Sequence, residues 1–155
     1  MFGINKRNSE AKEFWEIIKL LDWKYEGDDD KVTAPAVDYL SKQGDDFIFR
    51  FDEQMAEYLY AIDGKQWAES YIEGAGYFSD DGFLYCRCVA IANGEEYYNS
   101  VKDGRTELNG DLEFESLLYI PSTAWAKKHN SQPDDYPYLT KTSYETGSNS
   151  ALWEE

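Results

Sequence analysis

The chain has 155 residues, of which 42% are hydrophobic, and its 13 tyrosines, 8 phenylalanines and 5 tryptophans give ample material for a core. This composition excludes a chain that is disordered throughout and fits one folded domain. The 31 acidic and 15 basic residues give a net charge of −16, which disfavours binding to nucleic acids or anionic membranes and attracts basic partners. Solubility alone also explains such a charge, so it does not by itself assign a function.

The sequence carries no segment typical of export or membrane insertion. The first ten residues lack the apolar run of a secretory signal, and no apolar run approaches the length of a bilayer. Cys86 and Cys88 are two positions apart in one predicted helix, where their side chains point to different sides and form a disulfide poorly. We therefore expect a cytoplasmic protein with two free thiols.

The spacing of apolar residues predicts helices through the first half of the chain. The first helix is expected over 9–24, and the acidic run Glu26-Gly27-Asp28-Asp29-Asp30 is expected to be a charged loop. A short helix that begins at Thr33-Ala34-Pro35 and a longer one over 45–62 follow. Asp63 is expected to cap a fourth helix, which carries Trp67 and Tyr71.

The central element of the predicted fold is a helix over 79–92. Between Phe83 and Ala92 the only charged residue is Arg87, so this helix is expected to be buried. Ser79 is a good N-cap residue, and Asn93-Gly94 is a typical helix end.

The remaining pattern predicts further helices and then an irregular tail. Helices are expected over 95–102 and 111–119, with a break or kink at Pro121 and a restart at Ser122 or Thr123 that runs to His129. We predict a mostly α protein: a single helical bundle over 1–130 around the helix near 80–92, and a C-terminal tail over 131–155 that packs partly on the bundle.

Several of these segments resemble a known bacterial family. They are FWEII near the start, the stretch from Trp67 through SDDGF to Arg87, and Asn93-Gly94-Glu95-Glu96-Tyr97-Tyr98. This ordering resembles the family called domain of unknown function 4240 over roughly 13–129. The resemblance implies a mostly helical domain and supplies no activity. The chain departs from the family at Cys86 and Cys88, where the family often has aromatic residues.

Arg87 is the residue most suggestive of a site. A guanidinium on an apolar helix face needs a partner, and Glu69, Glu73 and Asp52 are candidate carboxylates. One interpretation is a core ion pair that fixes the register of the helix. The other is a pocket for a small anionic ligand, whose candidate residues are Trp67, Tyr71, Asp81 and Arg87.

Catalytic and metal-binding patterns are absent from the sequence. His129 and the two cysteines lack the spacing of a zinc site, and Asp28–Asp30 lacks the glycine and glutamate of a calcium loop. No nucleophile motif or phosphate-binding loop is present. Adjacent side chains on a helix diverge, so Asp80 and Asp81 form a poor catalytic or metal-binding pair. Their position is explained instead by the positive end of the helix dipole, which two carboxylates stabilise. We therefore expect no enzyme activity, no cofactor and no metal. The enzymatic alternative, which ranks last, would need a magnesium or calcium ion bound by carboxylates alone.

The acidic pairs and the abundant aromatic residues favour a binding protein, although many of the tyrosines are expected in the core. We expect a non-enzymatic protein that neutralises a basic protein, most concretely an immunity protein that blocks a bacterial toxin such as a nuclease. The alternative is a regulatory or accessory domain that binds a small ligand near Arg87 and Trp67. The oligomeric state is left open. The residues expected to bind the partner are Asp28, Asp29, Asp30, Asp80, Asp81, Glu95, Glu96, Asp134 and Asp135.

Overall fold

The computed structural model describes residues 2–154, with side chains for residue 6 and residues 8–154. The described chain is helical and contains no β-strand, as the sequence predicts. Its α-helices are α1 Phe2–Ile18, α2 Asp29–Ser41, α3 Asp45–Ala61, α4 Lys65–Ala75, α5 Asp80–Ala92, α6 Glu95–Lys102, α7 Ile120–His129 and α8 Ser150–Trp153. Short 3-10 helices cover Trp23–Tyr25, Glu115–Tyr119 and Pro133–Asp135. No helix among the described residues is both long enough and apolar enough to cross a bilayer.

Helix α5 is the central helix that the sequence predicts. Nine of its thirteen residues are buried, and it contacts α3, α4, α6 and the 3-10 helix Glu115–Tyr119. Ser79 is its N-cap, with the hydroxyl accepting from the backbone N–H of Gly82 at 3.1 Å. Its end at Asn93 is followed by Gly94 at φ 101°, a conformation that favours glycine.

Helix α2 begins earlier than the sequence predicts. Asp28 is its N-cap and accepts from the backbone N–H of Lys31, so Asp29 and Asp30 of the expected charged loop lie instead in the first turn of the helix. Thr33 donates to the carbonyl oxygen of Asp29 rather than capping the helix, and Pro35 lies inside it. The carboxylates of Asp29 and Asp30 lie in the first turn, where they complement the helix dipole.

The prediction that Asp63 caps α4 is wrong. Gly64 occupies the N-cap position and supplies no side-chain hydrogen bond. The Asp63 side chain is fully buried and accepts hydrogen bonds from the C-terminal tail.

The segment before α7 also differs from the prediction. Residues 111–114 form no helix, and only Glu115–Tyr119 takes up a 3-10 conformation. Pro121 does not break the chain, because it lies in the first turn of α7, where its missing N–H is tolerated. Helix α7 packs most extensively on α2 and also contacts α3.

Candidate partner-binding face

An acidic groove of about 410 Å³ lies between the start of α2, the end of α5 and the segment 112–114. Its exposed apolar side chains are Trp23, 42% exposed, and Leu112, 48% exposed. Its carboxylates belong to Glu26, Asp29 and Glu113. Large apolar side chains beside several carboxylates are the combination that binds a basic protein surface. We call this feature the acidic groove.

Backbone and side-chain contacts fix the segment that forms one wall of the acidic groove. The backbone N–H of Phe114 donates to the carbonyl oxygen of Tyr85 on α5 at 3.0 Å. The Phe114 ring is buried and packs on Trp23, with centroids 5.3 Å apart. The Ser116 hydroxyl donates to the Asp29 carboxylate at 3.0 Å, which ties this wall to the first turn of α2.

Two tyrosines near Glu115 have raised pKa values for local reasons. A hydrogen bond to the Glu115 carboxylate, together with burial, raises the pKa of Tyr119 to about 12. Burial and the carboxylates of Glu115 and Asp81 raise the pKa of Tyr85. Both phenols therefore stay neutral at physiological pH and serve as hydrogen-bond donors and contact area rather than as bases.

A second groove of about 390 Å³ lies on the other side of the contact between Asp29 and Ser116. Asp30, Thr33, Tyr119 and Lys127 contribute to its lining. Tyr119 is half exposed and extends the aromatic surface toward this groove. The candidate partner-binding face consists of these two grooves.

The structure places the predicted acidic residues at several separate positions. Of these, Asp29 lines the acidic groove, Asp30 lines the second groove, and Asp28 caps α2 next to them. Asp81 is exposed and lies on the Tyr85 side of α5.

The other acidic pairs do not line either groove. The backbone carbonyl of Asp80 accepts from Thr146 in the tail. Glu95 lies near Tyr58, whose pKa is raised by burial and by this carboxylate and that of Glu57, and Glu96 is exposed beside it. Asp134 and Asp135 form part of the 3-10 helix that packs on α7. The nine residues therefore do not form one continuous surface.

The candidate pocket around Arg87 is filled by protein atoms. Arg87 has no exposed surface, and its guanidinium packs over the Phe83 ring at 4.7 Å. Trp67 and Tyr71 are buried as well, and Asp81 is exposed. Trp67 donates to the carbonyl oxygen of Val101 at 2.9 Å, which anchors the end of α6. These four residues do not share an open cavity.

Arg87 does not form the predicted ion pair with Asp52, Glu69 or Glu73. Its guanidinium donates to the carbonyl oxygens of Leu59 at 3.0 Å and Tyr144 at 3.1 Å, and to the Thr146 hydroxyl at 3.1 Å. Burial lowers its pKa, and the negative charge of Asp63 opposes that shift. Backbone carbonyls thus take the place of the carboxylate that the sequence argument expected.

The two cysteines are buried and free. Burial raises the pKa of Cys86 to about 12 and raises that of Cys88 further. Both thiols stay protonated at neutral pH, a state that disfavours nucleophilic chemistry. Among the described residues, no group of three His, Cys, Asp or Glu side chains is placed to hold a metal ion.

Sequence reasoning missed the other residues of the acidic groove. Trp23 falls in the predicted helix 9–24, Glu26 in the predicted charged loop, and Leu112 and Glu113 in the predicted helix 111–119, so none of the four is predicted to bind a partner. The alternation of acidic and apolar residues in Asp111-Leu-Glu-Phe-Glu115 was the available signal, because it fits a non-helical segment better than a helix.

The fold and this face define a helical domain that presents an acidic, partly aromatic surface. The chain belongs to the family described as protein of unknown function, DUF4240, whose profile matches residues 10–127. This is the family that the sequence motifs indicate. No curated protein and no solved structure matches the chain.

Proposed function

We infer that the chain acts by binding rather than by catalysis, as an acidic protein that neutralises a basic protein at the acidic groove. The observation that supports this function is the placement of exposed Trp23 and Leu112 between the carboxylates of Glu26, Asp29 and Glu113. Aromatic and aliphatic anchors supply contact energy, and surrounding charges steer the partner and set the association rate.

The basic residues next to the acidic groove do not cancel its charge. Lys24 lies 3.8 Å from the carboxylate of Asp22, and Lys31 lies 3.8 Å from that of Asp28. Both ammonium groups lie over the Tyr25 ring, at 5.2 and 5.5 Å from its centroid. Each lysine is therefore neutralised locally, and the carboxylates of the groove stay available to a partner.

The most concrete form of this proposal is an immunity protein that blocks a bacterial toxin. A nuclease toxin fits the chemistry, because its phosphate-binding site is basic and an acidic protein surface can occupy it. The alternative, a regulatory or accessory domain with a ligand pocket near Arg87 and Trp67, has no support in the geometry, since Arg87 is fully enclosed.

The direct test is affinity capture from the cell of origin with the tagged 155-residue chain, washed first at low and then at high salt. We expect a basic protein to be retained in a stoichiometric amount and released by salt, because steering and rim contacts are screened. Expression of that protein alone should then be toxic, and co-expression with this chain should restore growth. Capture of no basic protein, under conditions in which the partner is produced, would contradict the proposal.

A further inference from the structure

Residues 136–153 run along α3, α4 and α5 as a segment that the helical domain holds mainly through side chains. Between Tyr136 and Asn149 this segment contains no helix or strand. Four of its backbone N–H groups and one carbonyl oxygen instead pair with Glu53, Asp63 and Arg87 of the domain. This is the arrangement of a bound peptide rather than of a further layer of the bundle.

Glu53 on α3 recognises the first part of the segment. Its carboxylate accepts from the Tyr138 hydroxyl at 2.6 Å and from the backbone N–H groups of Lys141 at 2.7 Å and Thr142 at 3.0 Å. Burial opposes ionisation of this carboxyl, but the three hydrogen bonds outweigh it and lower its pKa. Asp52, the residue directly before Glu53, accepts from the Tyr136 hydroxyl at 2.9 Å.

Asp63 recognises the last part of the segment. It is fully buried and accepts from the backbone N–H groups of Gly147 at 3.1 Å and Asn149 at 3.0 Å. It also accepts from the indole N–H of Trp153 at 2.9 Å. A buried carboxylate with three donors from one segment is a built site, because it would be costly to leave unpaired.

Arg87 and Tyr60 hold the middle of the segment. Arg87 donates to the carbonyl oxygen of Tyr144 and to the Thr146 hydroxyl, both at 3.1 Å. The Asn149 side chain donates to the carbonyl oxygen of Tyr60 at 2.9 Å.

Aromatic contacts anchor both ends of the segment. Tyr138 stacks on Phe49 with ring centroids 4.9 Å apart and an interplanar angle of 8°. Tyr136 packs edge-on against Phe49 and Trp125 at 5.7 and 6.1 Å. At the other end, Trp153 packs against Phe83 at 6.0 Å.

The boundary of the family match separates the two sides of this interface. Asp52, Glu53, Asp63 and Arg87 all lie within residues 10–127, which match the family, and residues 136–153 all lie outside the match. The four residues that bind the segment therefore lie in the part of the chain that matches the family, and the segment lies outside that match.

We propose that the helical domain carries a binding site for an irregular polypeptide segment, built by Glu53, Asp63 and Arg87, and that residues 136–153 occupy it as a ligand tethered in cis. The ligand class is a peptide with tyrosines at alternate positions, a polar turn containing Gly-Ser-Asn, and a tryptophan after it. This site is separate from the acidic groove, so either proposal can fail without the other.

The test uses the full chain with a protease site inserted between Ser131 and Gln132, outside the contacts described above. After cleavage of the folded protein, the fragment 132–155 is expected to co-elute with the domain on gel filtration. A fluorescein-labelled synthetic peptide 132–155 should then exchange into the cleaved protein at one peptide per domain, as measured by fluorescence polarisation. The uncut protein should not bind it, because the tethered segment occupies the site.

Variants on both sides of the interface make the test specific. A peptide with Trp153→Ala and a domain with Glu53→Gln should each weaken binding about tenfold or more, since an aromatic anchor or a charged hydrogen-bond acceptor is lost. The matched domain variant Glu69→Gln, on the exposed surface of α4, should leave the affinity unchanged.

Three results would overturn the proposal. They are unfolding of the domain upon cleavage, failure of the labelled peptide to exchange, and equal affinity for the wild-type and Trp153→Ala peptides. Dimers formed by exchange of the C-terminal segment between two copies of the chain would support the proposal, because the segment of one copy would then occupy the binding site of the other.

Discussion

Two buried charged residues, Arg87 and Asp63, connect the helical domain to the C-terminal tail. Both have no exposed surface, and most of the hydrogen bonds that they form are to backbone groups rather than to each other. A backbone partner is fixed in space, so each charged side chain fixes the position of the segment that it binds. The planar guanidinium of Arg87 donates to the end of α3 through one nitrogen and to the tail through another. The single ammonium group of a lysine would reach both carbonyl oxygens less well.

Arg87→Lys should therefore destabilise the protein by about 2–4 kcal/mol, because buried carbonyl oxygens lose their donors. Arg50→Lys is the matched control. Arg50 is partly exposed and lies 3.7 Å from Glu10 and 3.9 Å from Glu13, so the same substitution there should cost about 0.5 kcal/mol or less. Urea unfolding followed by tryptophan fluorescence measures both. Equal losses in the two variants would contradict the role assigned to Arg87.

At the scale of elements, the contact between α3 and the tail carries a pH dependence. Burial raises the pKa of Asp52 from 3.8 to about 6, although the Tyr136 hydroxyl donates to this carboxyl and lowers it, while the nearby charge of Glu53 raises it. The pKa of Asp52 is higher in the folded state than in the unfolded state. The contribution of Asp52 to the stability of the fold is therefore fully present below about pH 4, and it is lost as the pH rises through about 6.

Asp52→Asn should remove this loss, because the amide stays neutral and its oxygen still accepts from Tyr136. We expect the variant to be more stable than the wild type by about 2 kcal/mol at pH 7.5 and to differ little at pH 4. Asp46→Asn in the exposed first turn of α3 is the control. It should lower stability by a few tenths of a kcal/mol, since a carboxylate there complements the helix dipole. Thermal unfolding across this pH range measures both, and a destabilised Asp52→Asn variant at pH 7.5 would contradict the account.

The elements that sequence reasoning predicted are those fixed by local signals. Helix α5 follows from its apolar composition together with a serine cap and an Asn-Gly end, and its burial follows from the same pattern. Asp63 precedes a helix and thus has the sequence signature of a cap, but its donors come from residues more than eighty positions later. The partners of Arg87 and the contact between Ser116 and Asp29 also join residues that are 28 to 87 positions apart, so local patterns do not identify them.

At the scale of the whole molecule, a net charge of −16 produces a long-range electric field that attracts basic proteins. The acidic groove is the surface at which we propose that a basic protein binds. Charge alone attracts any basic protein weakly, whereas Trp23 and Leu112 add contact area that only a fitting surface can bury. Specific binding should therefore depend on where the negative charges lie and not only on their sum.

The measurement that tests this claim most directly compares two triple variants of equal net charge against the captured basic partner. Glu26→Gln, Asp29→Asn and Glu113→Gln neutralise the acidic groove, while Glu69→Gln, Glu73→Gln and Glu107→Gln neutralise a cleft elsewhere on the surface. Each set removes three negative charges and changes the net charge from −16 to −13.

Surface plasmon resonance at low and physiological salt gives the association and dissociation rates of each variant. The account predicts that the groove variant associates about tenfold more slowly than the wild type at low salt and loses most of the salt dependence. The cleft variant should stay within about twofold of the wild type, since distant charges are screened. Equal losses in both variants would show that the total charge, and not the acidic groove, binds the partner.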